Sequence, residues 1–285
     1  MCKKKQIYRK PKWLNKKINL QDCVKLNSLF KDLQLNTICT QAKCPNISEC
    51  FASGVATFLI LGKICTRNCK FCAVAKGKPE KLDLTEPERI AHAVKLLGLK
   101  HVVITSVTRD DLTDGGAEIF SQNVQAIHQL NESIRVEILV PDFNGNMQAL
   151  KKVIFAEPDI FAHNIETVPR LYGKLRNALY SRSLGILNTA KEINNKLYTK
   201  SGLMLGLGEK QEEVIDVLKD LRKVRCDFLS LGQYLSPGYS YFPVQEYIRP
   251  EHFTEYKKIA ESLGFLHIKS GPYVRSSYLS ASYIP

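Results

Sequence analysis

Six of this chain's nine cysteines fall between Cys39 and Cys72, and no other feature of the sequence restricts its fold and chemistry as tightly. The opening, MCKKKQIYRKPKWL, is basic and has no continuous apolar run of the secretory kind. In a reducing compartment, thiols packed this densely read as metal or catalytic groups rather than as disulfides. They form two arrays. CTQAKCPNISEC sets Cys39, Cys44 and Cys50 in a C-x4-C-x5-C pattern, and CTRNCKFC sets Cys65, Cys69 and Cys72 in a C-x3-C-x2-C pattern. Soft thiolate donors select iron–sulfur clusters, zinc or copper. Structural zinc prefers four ligands, commonly as two C-x2-C pairs. The second array has no such second pair and no histidine within reach, whereas three cysteines on a cubane leave one iron open to a substrate. The first array has only three protein ligands, so a fourth is to be found: Cys23, Cys226, a serine or a water. A zinc loop is its main rival.

Downstream of residue 57 the chain alternates short β-rich runs with helical patterns. Strands are expected at Thr57–Leu61, Val102–Ser106, Arg135–Val140, Asp159–His163, Gly202–Leu205 and Phe228–Leu231. Val214, Val217, Leu218, Leu221 and Val224 fall on one helical face. Thr85 and Glu88 read as a capping box with Pro87 in the first turn, and Pro250 opens a helix to about Leu263. Leu20–Leu33 reads as one further helix. Six strands in this alternation imply a parallel sheet with helices outside, either flat and doubly wound or curved into a full or partial barrel. Three parts follow: an extension over residues 1–50 carrying the first array, an α/β core over 51–265, and a Ser/Tyr-rich tail over 266–285.

The net charge of +13 favours acidic partners, but no arginine-rich run with interleaved aromatics points to nucleic acid. The most apolar stretch, Val55 to Gly62, is too short to span a bilayer, so neither membrane nor nucleic acid is expected as a partner, and the cytoplasm is the expected compartment.

C-x3-C-x-aromatic-C, with Phe71 at the aromatic position, resembles the signature of the radical S-adenosylmethionine (SAM) superfamily. The resemblance implies a partial (β/α)6 barrel and a [4Fe–4S] cluster on Cys65, Cys69 and Cys72. Its open iron chelates SAM, and its electron releases a 5′-deoxyadenosyl radical. GLMLGLGE at Gly202–Glu209 is similar to that superfamily's G-x-I-x-G-x-x-E element, with Met204 in the apolar place against adenine. Thr105 and Ser106 stand where the methionine amino group binds. Asn164, Glu166 and Arg182 are polar groups suited to ribose and carboxylate contacts, and each reads equally well as a surface cap or salt bridge.

Adding the upstream array and the terminal Arg275–Ser276–Ser277–Tyr278 narrows the resemblance to the lipoyl synthase family. It extends from RKPKWL at Arg9–Leu14 through TSVTRDD at Thr105–Asp111 to the tail. That family implies a second [4Fe–4S] cluster on Cys39, Cys44 and Cys50, with Ser277 as its oxygen ligand and Arg275 beside it. It implies insertion of two sulfurs from that cluster at C6 and C8 of an octanoyl chain. The chain is carried on a lysine of an acidic lipoyl-carrier domain, such as the glycine-cleavage H protein or a 2-oxoacid dehydrogenase E2 domain. Ferredoxin or flavodoxin would supply electrons. The alternatives are another sulfur-inserting radical SAM enzyme and a non-catalytic zinc protein. Cys2, Cys23 and Cys226 read as incidental thiols, and no histidine is assigned a role.

Overall fold

The computed structural model describes residues 9–15, 24, 28–42, 44–52 and 57–283. Nine strands are described: β1 (Thr57–Ile60), β2 (Ile64–Cys65), β3 (Ala75–Lys76), β4 (His101–Ser106), β5 (Arg135–Leu139), β6 (Ile160–Ala162), β7 (Tyr198–Leu205), β8 (Phe228–Gln233) and β9 (His267–Ser270). Seven of them form one sheet in the order β1-β4-β5-β6-β7-β8-β9, and every pairing is parallel. β1 and β9 are its two edges, so the curved sheet is a partial barrel. Helices Glu86–Leu96, Ala117–Leu130, Met147–Phe155, Tyr180–Ile193, Gln211–Lys223 and Pro250–Ser262 make the crossovers. Parallel strands covered on both faces read as near-continuous buried runs, which β1 and β8 are.

The helix Gln211–Lys223 forms because Val214, Val217, Leu218 and Leu221 make one apolar stripe. All four are fully buried, and Glu212 and Glu213 complement the helix dipole at its first turn. All six expected strands are present. The fifth begins four residues earlier than expected, at Tyr198, because Thr199, Lys200 and Ser201 are polar in sequence yet buried in the sheet.

One of these expectations is corrected. The capping box at Thr85 does not form: Thr85 is already helical, at φ −91° and ψ −3°, and its side chain caps nothing. A capping residue needs extended backbone. Here the Asp83 carboxylate instead accepts from the Thr85 amide at 3.0 Å and hydroxyl at 2.7 Å. Beyond the six expected strands, the Ser/Tyr-rich tail begins with β9, a seventh whose His267, Lys269 and Ser270 hide it from an apolar pattern.

Within the extension, Leu14 is fully buried and two short helices, Ile38–Gln41 and Ile47–Ala52, carry the first cysteine array. The extension is bound to the sheet edge: Leu59 N donates to Asn36 O at 2.9 Å, and Thr37 bridges Phe58. Of the helix expected over Leu20–Leu33, residues 28–32 are helical and most of the remainder lies outside the described residues, as do Cys2 and Cys23.

Candidate active site between two cysteine loops

The loop after β1 carries Cys65, Cys69 and Cys72 to the C-terminal end of the sheet, where ligands gather in α/β barrels. All three line a cavity of about 170 Å³ with Phe71, Thr105, Ser106, Asn164, Glu166, Arg67 and Arg176. The loop is zipped to the one after β4. Thr66 N and Oγ1 both donate to Thr108 O at 3.0 Å, Asp110 N donates to Thr66 Oγ1 at 3.1 Å, and Thr108 N points at Cys65 Sγ at 3.3 Å. Arg67 clamps the pair. Its fork donates to Asp110 at 2.7 Å through two nitrogens and reaches Asp142 Oδ1 at 2.6 Å. Bidentate pairing of this kind fixes orientation as well as charge.

Burial pushes the Cys72 thiol up to about 11 and raises Cys69 as well; Arg176 pulls Cys69 the other way. Thiols so placed resist ionising alone and ionise readily on a cation, because the metal charge dominates a site of this kind. Among the described residues, no three acid, histidine or cysteine groups converge at the spacing of a single bound ion. A cubane spreads its corner irons apart, so its thiolates surround a volume instead of meeting at a point. Three half-buried soft donors around one cavity fit such a cluster.

The other cavity groups fit a polar ligand. Ser106 Oγ is buried without a partner, an orphan polar atom that costs free energy unless something binds it. Thr105, expected to act with Ser106, gives its proton to Leu139 O at 2.9 Å. Glu166 is held at φ +70°, outside the ordinary range for a non-glycine residue, with Asn164 Nδ2 donating to its carboxylate at 3.1 Å; burial raises its carboxyl and Arg176 opposes this. Glu209, the last residue of GLMLGLGE, folds back to accept from the Gly206 and Leu207 amides and so builds the turn itself.

Arg182, expected among the ligand contacts, does not line the cavity. It donates to Asp142 Oδ2 at 3.2 Å from the far side of that carboxylate. Arg176 does line it. It donates to Asn164 O, to Ile165 O at 3.2 Å and to Tyr172 Oη at 2.9 Å, and its other nitrogen lies 3.2 Å from His163 Nε2. His163 is fully buried and pushed down to about 3 by burial and by Arg176, so it stays neutral. With Nδ1 donating to Val140 O at 2.8 Å, its Nε2 is the acceptor that Ser183 Oγ, at 2.9 Å, and Arg176 require. Arg67, Arg176 and His163 carry no local motif; only their distant partners reveal them.

The second cysteine loop lies on the same side. Ile38, next to Cys39, lines the first cavity. Cys39 is buried and its thiol is pushed up to about 11, by burial first and with Cys44 adding to it. The tail reaches this loop. Asn46 Nδ2 donates to Tyr273 O at 2.6 Å and Tyr278 Oη to Glu49 Oε1 at 2.8 Å. Arg275 lies within electrostatic range of Cys44, and Tyr278 within range of Cys50, so Ser277 is bracketed by two residues that face the loop. Three thiols on one loop again suit a cluster. A second cavity of about 90 Å³, lined by Gly202, Met204, Arg275 and Ser276, shares Asn164 and Glu166 with the first. Cys226 is elsewhere, fully buried with its thiol pushed up to about 12 by burial, as an incidental thiol should be.

A model of the Radical SAM superfamily matches residues 59–221. The lipoyl synthase of Caldicellulosiruptor saccharolyticus is 56% identical over 274 residues, which is 95% of this chain and 96% of that protein. The lipoyl synthase of Geotalea daltonii is 52% identical over 278 residues, 98% of this chain and 95% of that protein. Among solved structures, Streptococcus suis SuiB bound to precursor peptide SuiA superposes with a TM-score of 0.61 at 14% identity, over 93% of this chain and 57% of that one. The FeFe-hydrogenase maturase HydG from Carboxydothermus hydrogenoformans superposes with a TM-score of 0.58 at 16% identity, over 78% of this chain and 61% of that one. At such identities the structural likeness is one of fold, the partial barrel.

Proposed function

Because the chain belongs to the lipoyl synthase family of the radical SAM superfamily, we propose that it inserts sulfur at C6 and C8 of an octanoyl group carried on a lysine of a lipoyl-carrier domain. The observation that supports this best is the shared wall. Asn164 and Glu166 border both the cavity of the first-described cysteine loop and the cavity beneath the tail, and Ile38 brings the other loop to the same place. An acyl carbon lying there would face both loops.

When bound, SAM and two [4Fe–4S] clusters supply a radical that removes hydrogen from carbon and the sulfide that replaces it. The chain's own residues do the holding and positioning. Cys65, Cys69 and Cys72 would hold one cluster by three thiolates, and Cys39, Cys44 and Cys50 the other. Ser277 would be the fourth ligand there, a harder and weaker partner for iron than a thiolate. Ser106 Oγ, Asn164 and Glu166 would receive the polar groups of SAM, with Phe71 and Met204 as apolar walls. Arg176, locked by neutral His163 and two backbone carbonyls, keeps a fixed positive charge beside Cys69. Arg275, which donates to Val274 O, would add a positive charge within electrostatic range of Cys44.

A flexible acyl-lysine arm enters such a site where a globular surface would not, and the net charge of +13 suits an acidic carrier such as an H protein or an E2 domain. A ferredoxin or flavodoxin would deliver electrons in the cytoplasm. No helix of the described residues is long and apolar enough to cross a membrane. The test is a single turnover with octanoylated carrier peptide, SAM and reductant, followed by mass spectrometry. A peptide that gains two sulfurs supports the reading; SAM cleaved with the octanoyl group untouched overturns it.

A further inference from the structure

The described chain ends inside its own barrel. Register sets Lys200 beside Phe228 and Phe228 beside His267, so three neighbouring strands present an ammonium, a ring and an imidazole near the N-terminal end of the sheet. Tyr283 sits among them, 2% exposed. Its ring centroid lies 5.4 Å from Phe228 and 4.8 Å, edge-on, from His267. Lys200 Nζ is 3.8 Å from that centroid and Lys269 Nζ is 4.9 Å from it. Lys200 also donates to both Glu137 oxygens, at 2.9 and 3.0 Å, with both side chains fully buried. A desolvated ammonium is where cation–π attraction is largest. With Ile160 and Phe228 the ring forms a small cluster of its own, separate from the main core.

From this anchor, backbone hydrogen bonds step back to the serine. Tyr283 N donates to Ser280 O at 3.1 Å, and Ser280 N donates to Ser277 O at 3.3 Å. Ser280 is fully buried. Lys269, which faces the ring, also donates to Tyr278 O at 3.1 Å and to Leu279 O. There is little slack between ring and serine. The other end is fixed as well: Val274 O lies so close over Gly232 that a Cβ there would stand 2.0 Å from it, and Ser276 Oγ meets Asn164 Oδ1 at 2.8 Å.

We propose that Tyr283 is a positioning residue. Its ring, held by Lys200 and Lys269 at the base of the barrel, sets where Ser277 meets the loop of Cys39, Cys44 and Cys50. The inference rests on the reading of Ser277 as the fourth ligand of that centre. Without the ring the tail loses its lower fixed point and the serine drifts from the loop. Cys65, Cys69 and Cys72 stand on a different segment and keep their geometry.

The test compares reconstituted full-length wild type, Tyr283→Phe and Tyr283→Ala for iron per chain, release to a chelator, SAM cleavage, and proteolysis of the tail in metal-free protein. Wild type and Tyr283→Phe, which keeps the ring, should hold about eight irons, and Tyr283→Ala about four. The alanine variant should cleave SAM at the wild-type rate, with its tail cut roughly tenfold faster through local opening. Eight irons with unchanged release in Tyr283→Ala would overturn the proposal. Loss of both centres and of SAM cleavage together would do so too, since the ring would then be a general prop for the fold. If wild type itself holds only four, it is the two-centre reading that fails, and the inference falls with it.

Discussion

The two cysteine loops lie side by side in sequence and are held in opposite ways. The loop of Cys65, Cys69 and Cys72 is built into the barrel. Its backbone bonds to Thr108, Leu175 and Phe242, and Arg67 ties it to two carboxylates from successive barrel loops. The loop of Cys39, Cys44 and Cys50 leans on the far end of the chain, through Asn46 to Tyr273 and Glu49 to Tyr278, contacts that span 227 and 229 residues. Contacts of such sequence separation carry a larger loop-closure entropy than the local ones that hold the other loop. The difference matches the proposed chemistry: a centre that must survive every turnover sits in the scaffold, and a centre that gives up its sulfur sits where two segments distant in sequence meet.

The sharpest break between the two is by cysteine replacement. Cys69→Ala should reduce SAM cleavage to background. Cys44→Ala should leave it within about twofold of wild type, because separate sites behave independently, while giving no sulfur-containing product. Parallel loss of both activities in either variant would erase the distinction. Next is Arg176→Met, which strips the side-chain donor from Asn164 O, leaves Ile165 O only the Thr167 amide, and removes the charge beside Cys69. One buried acceptor is then unpaired, at about 1–3 kcal/mol of stability, and with the cavity-lining charge gone SAM affinity should fall by about tenfold in a binding titration. Arg176→Lys should not restore it, since an ammonium lacks the guanidinium fork.

Glu86 probes how the barrel braces the first of these loops. It accepts from Leu61 N at 2.9 Å, and burial pushes its carboxyl up to about 7. A carboxyl whose folded value exceeds its unfolded one binds more protons when folded, so stability falls as pH rises from about 4.5 to about 7 and stays lowered above. Glu86→Gln keeps an acceptor without charge. It should melt higher than wild type at pH 8, by about 1–3 kcal/mol of stability, and equally at pH 4.5, with both chemistries unchanged. An identical pH profile in the two proteins would contradict this. The smallest effect is expected from Tyr278→Phe, which removes one hydrogen bond to Glu49 worth about 0.5–1.5 kcal/mol. Iron should leave the tail-bound centre a few-fold faster under chelation and the barrel-bound centre at its wild-type rate.

The same contrast marks what the sequence reveals. Local spacing exposes the cysteines, and apolar runs expose β1, β4 and β8, because ligand wrapping and strand burial act over a few residues. β9 and the start of β7 escape, since Lys200 and Lys269 look like surface residues until Glu137 and the Tyr283 ring are placed beside them. Arg182 and Arg176 are indistinguishable on paper; which one enters the cavity depends on where two helices and the His163 pocket come together. Thr85 shows the reverse error, a local pattern overruled by the nearby carboxylate of Asp83. Tail contacts such as Asn46 with Tyr273 bridge nearly the whole chain and leave no local trace.

The most direct test counts iron per chain before and after one turnover with octanoylated carrier peptide. Iron should fall from about eight to about four per chain, with the spectrum of the cluster on Cys65, Cys69 and Cys72 unchanged. An iron content that stays near eight after sulfur has appeared in the product, or that falls equally at both sites, would contradict the proposed chemistry.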